Sequence, residues 1–260
     1  MNMNRFDLYT PREELKPYIK SFAVSENMDA QTYKIIPDTS VVLGFQYKGK
    51  LSYIEDATDK KLDASGVSGL RDTFRIFKNS ADIGTVLVFF TETGFMHFFK
   101  QPVHEIFRES ISLDNFMLRS ELLILEEQLY AADSDIKRIA VIEKFLLARM
   151  RFVQPDKLVL AALALIHKSR GAIRISELME QLHTSQSPLE KKFRQAVGAS
   201  PKKFASIVRL KHTIQTGKKT ISLTELSHEA GFYDQAHFIK EFKNFTGESP
   251  GDFFSSNNKS

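Results

Sequence analysis

The chain has 260 residues, 42% hydrophobic and 26% charged, with 36 Lys+Arg against 32 Asp+Glu for a net charge of +4. It has no cysteine, which excludes disulfides, thiolate metal sites and thiol catalysis. No apolar run approaches the ~18 residues needed to span a bilayer and no signal peptide opens the chain, so the expected location is the cytoplasm. The length allows two domains, and charge divides them. Residues 155–260 hold 16 Lys+Arg against 10 Asp+Glu, and residues 1–154 hold 20 against 22. The basic surplus on the later segment is where a polyanion would bind, although a solvated surface would carry it equally well.

The first third reads as short strands rich in β-branched and aromatic residues: Tyr33–Pro37, Val41–Tyr47, Leu51–Tyr53, Thr73–Phe77 and Gly84–Phe90. Turn residues separate them at Pro37-Asp38, Lys48–Lys50, Asp63–Gly66 and Ala81–Gly84, the pattern of a small antiparallel sheet or barrel. Helical spacing follows over Leu118–Ala131 and Asp135–Phe152, with Ile139, Ile142, Phe145, Leu146 and Met150 on one side. Leu158–Ile166 is apolar, too short to span a bilayer, and reads as a buried helix.

The last hundred residues contain one pattern twice. Ile175 and Leu178 recur as Leu223 and Leu226, an offset of 48; Leu189, Phe193, Gly198 and Phe204 recur as Phe238, Phe242, Gly247 and Phe253, an offset of 49. The period changes by one residue where a turn between two helices can absorb it. Each copy closes with Gly-x-Ser-Pro, at Gly198–Pro201 and Gly247–Pro250. Two short helices joined by a turn, duplicated in register, form a unit whose second helices can enter DNA major grooves. The bland alternative is a pair of helical hairpins that merely pack together.

This half resembles the AraC/XylS family of bacterial transcription regulators. The resemblance is carried by Ala230–Lys243 and Phe245–Phe253, with Leu182, Ser185, Leu189, Phe193, Gly198, Ser200-Pro201 and Arg209-Leu210 fitting in the first copy. It spans about residues 157–253 and implies double-stranded DNA and RNA polymerase as partners, with a homodimer as a candidate assembly. Carried over residue by residue, the first reading face is Gln186, Ser187, Glu190, Lys191 and Arg194; the second is Asp234, Gln235, Ala236, His237 and Lys240. Lys191, Arg194 and Lys240 suit guanine or phosphate, Gln235 suits a bidentate adenine contact, and Ala236 offers only apolar contact. Each of these residues could equally belong to a solvated helix face.

Glu190 has two readings. Ser187-Pro188-Leu189-Glu190 is a capping box, which would turn Glu190 back to the Ser187 amide; with Ser185 as cap instead, Glu190 could face cytosine. Asp234 is placed to cap the second reading helix at the Tyr233-Asp234 turn. Gly198 and Gly247 fit left-handed helix ends. A helix over Pro201–Gln215 would join the two pairs. Lys202, Lys203, Lys211, Lys218 and Lys219 are candidates for phosphate or plain solvent, with solvent favoured for the last two.

The N-terminal half resembles the small β domain preceding the reader in one branch of AraC-like regulators, through Leu15–Ile19, Pro37–Ser40, Phe45–Gly49, Val88–Phe90, Gly94–Phe99, Glu105–Phe107 and Ser112–Asp114. A Trp common in that branch is absent here. The expected fold is α+β: a cupin-like antiparallel β domain over 1–117, linker or dimerisation helices over 118–154, and an all-α domain with two helix-turn-helix motifs over 155–260. The strand aromatics either fill a barrel or line a pocket. In the second case Phe45, Tyr47, Arg75 and Phe89 form a candidate pocket for a small, largely apolar effector, with Arg75 or Gln46 as polar anchor. A filled barrel would leave the β domain to dimerisation or protein contact. No cofactor is expected. His97 and His104, near Glu92, Glu105 and Glu109, read as solvated or ion-paired rather than as metal ligands. No enzyme motif occurs.

Overall fold

Alternation along the strands sorts the N-terminal side chains onto two faces. The computed structural model describes residues 4–217, 222–229, 231–232 and 234–257. The expectations placed on Lys218, Lys219, Ala230 and Tyr233 lie outside the described residues. The strands are β1 (Arg5–Tyr9), β2 (Ile19–Asn27), β3 (Gln31–Ile35), β4 (Val42–Lys48), β5 (Leu51–Glu55), β6 (Thr58–Lys61), β7 (Ser65–Ser68), β8 (Arg75–Asn79), β9 (Ile83–Phe90) and β10 (Ser110–Ser112). They form a six-stranded sheet, β1-β2-β9-β4-β7-β10, and a four-stranded sheet, β3-β8-β5-β6. Every pairing is antiparallel.

One face of the larger sheet is filled. Leu43, Phe45, Tyr47, Val67, Val86, Val88 and Phe90 are buried there. Against this face pack two helices, α1 (Arg119–Ala131) and α2 (Asp135–Arg149), through Leu122, Leu125, Leu129, Ile139, Ile142 and Leu146. Polar pins fix them. Ser65 donates to Glu126 at 2.8 Å, Arg5 and Tyr9 donate to Asp135, and the Arg12 amide donates to the buried Glu143 at 2.9 Å. The opposite face, with Val42, Gly44, Leu87 and Phe89, turns toward the smaller sheet and is only half-buried.

Five strands escape the sequence pattern: β1, β2, β6, β7 and β10. In β1 the apolar Phe6 and Leu8 point to solvent, 55% and 66% exposed, while Arg5 and Tyr9 face α2. Ser65–Ser68 is short and polar, and its first two residues read as turn.

The remaining helices are α3 (Lys157–Lys168), α4 (Ile175–Gln181), α5 (Gln186–Val197), α6 (Pro201–Gly217), α7 (Leu223–Glu229), α8 (Gln235–Thr246) and α9 (Pro250–Asn257). Apolar contacts divide unevenly among them. A single large core runs from the β sheet through α1–α5 and takes Phe204, Ala205 and Val208 of α6. A separate small core joins Ile207 and Leu210 of α6 to Leu226, Phe238, Phe242 and Phe245.

Candidate nucleic-acid interface

The repeat is a geometric fact. Helices α4 and α7 are each 7 residues and α5 and α8 each 12, with starts offset by 48 and 49. The extra residue lies in the turn, as the spacing requires. Ser222 and Glu225 close a capping box at the start of α7, each side chain taking the other's amide at 3.2 and 2.9 Å.

The first reading helix begins with Ser185 as its N-cap residue, Pro188 falling in the first turn where it displaces no intrahelical hydrogen bond. Glu190 therefore does not turn back to the Ser187 amide. It accepts from Gln186 at 2.9 Å and lies 3.8 Å from Arg194. Gln186, Ser187, Lys191 and Arg194 are exposed, while Leu189 and Phe193 are fully buried on the other side.

The second reading helix is capped by Asp234, whose carboxylate accepts the His237 amide at 2.7 Å. That use leaves Asp234 a structural role at the helix start. Gln235, Ala236, His237 and Lys240 are exposed. His237 Nε2 stands 3.4 Å from Glu241, which also accepts from Arg209 of α6 at 2.9 Å. Arg209 in turn stacks on Phe232 at 4.0 Å, bracing the joining helix against the second pair. Both reading faces are open to solvent in the same chain.

The back of this domain docks on the β domain. Gly198 ends α5 and Gly247 ends α8, with φ of +96° and +81°. A Cβ at Gly198 would stand 3.0 Å from Val103, and one at Gly247 2.9 Å from the Phe74 ring. Sequence reading sees only the left-handed cap at these positions; the close approach is equally demanding. Ion pairs surround the seam: Lys211 to Asp38 at 2.8 Å, Lys203 to Asp72 at 3.0 Å, and Lys34 to Glu248. Glu92 accepts from Lys20 at 2.8 Å and lies 3.4 Å from His167 of α3. Burial alone would raise the Glu92 carboxyl, but these hydrogen bonds outweigh it and hold it at about 2.

Lys203 thus departs from its expected role. Its ammonium is spent on Asp72 and lies 4.6 Å from the Phe107 ring centre, inside the seam. Lys202 beside it is exposed and faces no such partner among the described residues.

The four pocket residues do not meet. Phe45 and Tyr47 are 1% and 7% exposed beneath α1 and α2, with Arg138 stacked on Tyr47 at 3.9 Å. Phe89 on β9 pairs with Val42, which alternation puts on the face opposite Phe45, and Arg75 on β8 reaches Ser110 on that same opposite face. Gln46 cannot serve as anchor: its amide donates to the Asp63 carbonyl at 2.6 Å and accepts from the Leu51 amide at 2.7 Å. His97 is neither solvated nor ion-paired but buried against Tyr18, ring centres 4.3 Å apart. His104 is exposed elsewhere, and among the described residues no three acidic or histidine side chains could hold a metal ion.

Two exposed reading helices on a duplicated frame define a tandem helix-turn-helix protein. Residues 178–256 match the helix-turn-helix domain family, and residues 7–112 match a domain of unknown function (DUF6597). The reader is of the AraC type, and the curated relatives are named as regulators rather than enzymes. The Msm operon regulatory protein of Streptococcus mutans is 34% identical over 93 residues, covering 34% of this chain and 33% of that protein. An uncharacterized HTH-type transcriptional regulator of Haemophilus influenzae is 29% identical over 102 residues, covering 39% and 34%. The chain therefore spans about a third of the curated relatives it matches. Among solved structures, ToxT from Vibrio cholerae aligns with a TM-score of 0.49 at 12% identity, covering 90% of this chain and 97% of that one.

Proposed function

We propose that this chain is a sequence-specific, DNA-binding transcription regulator of the AraC/XylS type, acting in the cytoplasm. The observation that supports it best is the pair of reading helices, α5 and α8, each presenting a polar face to solvent from a core-anchored frame. Gln186, Ser187, Glu190, Lys191 and Arg194 would read one stretch of major groove. Gln235, Ala236, His237 and Lys240 would read the next, with Asp234 holding the helix start. Lys202 is the phosphate contact that the seam leaves available. RNA polymerase is the protein partner such a role calls for.

The two pairs in one chain call for a bipartite site, its halves about one helical turn (~10 bp) apart. Full-length protein should bind duplex DNA with affinity that falls steeply as salt rises. An insertion of ~5 bp between the halves should abolish specific binding. A folded chain with no salt-dependent duplex binding would sink this reading.

The β domain is proposed as the controlling half, through a small effector. The support for a binding role is that Val42, Gly44, Leu87 and Phe89, on the face of the larger sheet turned to the smaller one, are only half-buried. The competing role, self-association, draws on the apolar residues α1 leaves exposed: Leu123, Ile124 and Tyr130, at 51%, 56% and 78%. Sedimentation of the full chain with and without DNA separates monomer from dimer.

A further inference from the structure

Where the chain leaves α2 for α3 there is a cavity of about 400 Å³, within the ~300–1,000 Å³ of small-molecule sites. None of its lining residues belongs to a strand. Phe98 and Phe116, both buried, and Ala148 of α2 give it apolar walls. Lys100, Arg149 and Arg151 bring three cations to it. Backbone geometry fixes their approach. The Arg151 amide donates to the His97 carbonyl at 2.8 Å, tying the segment after α2 to the helical turn Phe95–His97. Gln101 donates to the Asn115 carbonyl at 3.2 Å, linking the segment after that turn to the one that carries Phe116.

These cations are poorly matched within the protein. Among the described residues one carboxylate is within ion-pair reach of any of them, Glu121 at 3.3 Å from Arg149, and its side chain is 53% exposed. Arg149 also donates to the Phe116 carbonyl at 3.2 Å, while its Nε is shielded from solvent without a hydrogen-bond partner. A buried donor left so loses its hydration without compensation. The Arg151 guanidinium has only the Phe99 carbonyl, at 3.4 Å, among the described residues. Lys100 is exposed and has no acceptor among them. The carbonyls at the end of α2 account for part of this charge, because cations favour a helix C-terminus. They do not account for Lys100, which lies on neither α2 nor its cap.

We propose that this cavity binds a phosphate monoester on a flat apolar body, such as a mononucleotide. Lys100, Arg149 and Arg151 hold the phosphate. Planar guanidiniums take paired phosphate oxygens in bidentate fashion, and the Lys100 ammonium adds a point charge. Phe98, Phe116 and Ala148 face the apolar body. The bound dianion bridges Lys100 of the β domain, Arg149 at the end of α2 and Arg151 in the connection to α3. The proposal uses no residue of the reading faces and none between the sheets, so it stands or falls apart from both.

Titration calorimetry of the full chain at fixed ionic strength tests it, with AMP, adenosine and inorganic phosphate as probes. One AMP should bind per chain, inorganic phosphate about tenfold more weakly, and adenosine not measurably. Lys100→Gln and Arg151→Gln should each weaken AMP by about tenfold. Lys144→Gln removes the same charge from an exposed position of α2 outside the cavity and should leave AMP binding unchanged. Ala148→Trp should fill the cavity and abolish binding with all three cations intact. Lys100 and Ala148 are exposed, so these two variants keep the test decisive if Arg151→Gln fails to fold. No heat with AMP would leave the cations as partners of the α2 carbonyls and overturn the proposal. So would adenosine or phosphate binding as tightly as AMP, an equal loss in Lys144→Gln, or full binding in Lys100→Gln or Ala148→Trp.

Discussion

The two helix pairs are copies of one pattern with different foundations. In the first, Leu178, Leu189, Phe193 and Val197 are fully buried in the core that continues into the β sheet through Val103 and Ile106. In the second, Leu226, Phe238, Phe242 and Phe245 close a small core of their own with α6. Each fully buried side chain is worth roughly 1.5–3 kcal/mol, offset by ordering entropy, so the six buried core residues found there among the described residues make a much smaller foundation than the first pair has. Its ties to the β domain are the Lys34–Glu248 pair and the seat of Gly247 on Phe74. One helix pair is therefore built into the core of the β domain and the other is hung from it. Similar sequence specifies the shape of each pair, and surroundings specify how firmly each is held.

The largest effect should come from emptying the two cores. Phe193→Ala and Phe242→Ala each remove a fully buried ring, typically ~3–5 kcal/mol. The first should lower the unfolding of the β domain and first pair together. The second should melt α7–α9 alone, read by hydrogen exchange as lost protection beyond about residue 207 with the rest unchanged. Loss of protection throughout the chain in both variants would erase the distinction.

Next come the reading faces. Lys191→Ala and Gln235→Ala should each cost ~1–3 kcal/mol on the specific site and relax preference at one half only. Competition binding against scrambled duplexes measures this. A Gln235→Ala protein weakened equally on specific and random DNA would mean the second face only follows phosphate.

The smallest effect tests the seam. Glu92 is held at about 2 against an ordinary 4.5. A depressed carboxylate gives stability that is fully present above about pH 4.5 and lost as pH falls toward 2. Glu92→Gln should therefore lower Tm near neutrality and narrow its difference from the parent progressively below pH 4.5. A difference constant from pH 7 to 3 would show that Glu92 contributes packing and no charge.

Much of the reader is legible in the chain because its signals are local. Ile175/Leu223 and Phe193/Phe242 repeat at helical spacing, Gly198 and Gly247 mark ends, and Asp234 announces a cap. Glu190 marks the limit: Ser187-Pro188-Leu189-Glu190 reads as a capping box, yet Ser185 is the cap and Glu190 bonds Gln186. Two local options of similar energy are separated by how the helix enters its turn, which neighbours decide. The β domain is less legible. Val41–Tyr47 is plainly a strand, but alternation alone does not say which face is filled, and the sheet puts Phe45 and Tyr47 on the side opposite Phe89. β1 inverts the rule, its polar residues pointing inward to α2.

The sequence by itself determined the tandem helix pairs, their turn and their solvent-facing residues, because a helix face is set by spacing over a few turns. Only the tertiary structure decided that Lys203 serves Asp72, that Gly198 and Gly247 seat the reader on Val103 and Phe74, and that Arg71 and Arg75 share one carbonyl. Those contacts join residues 33 to 173 positions apart, and no local pattern encodes a meeting whose energy depends on which surfaces the whole chain brings together.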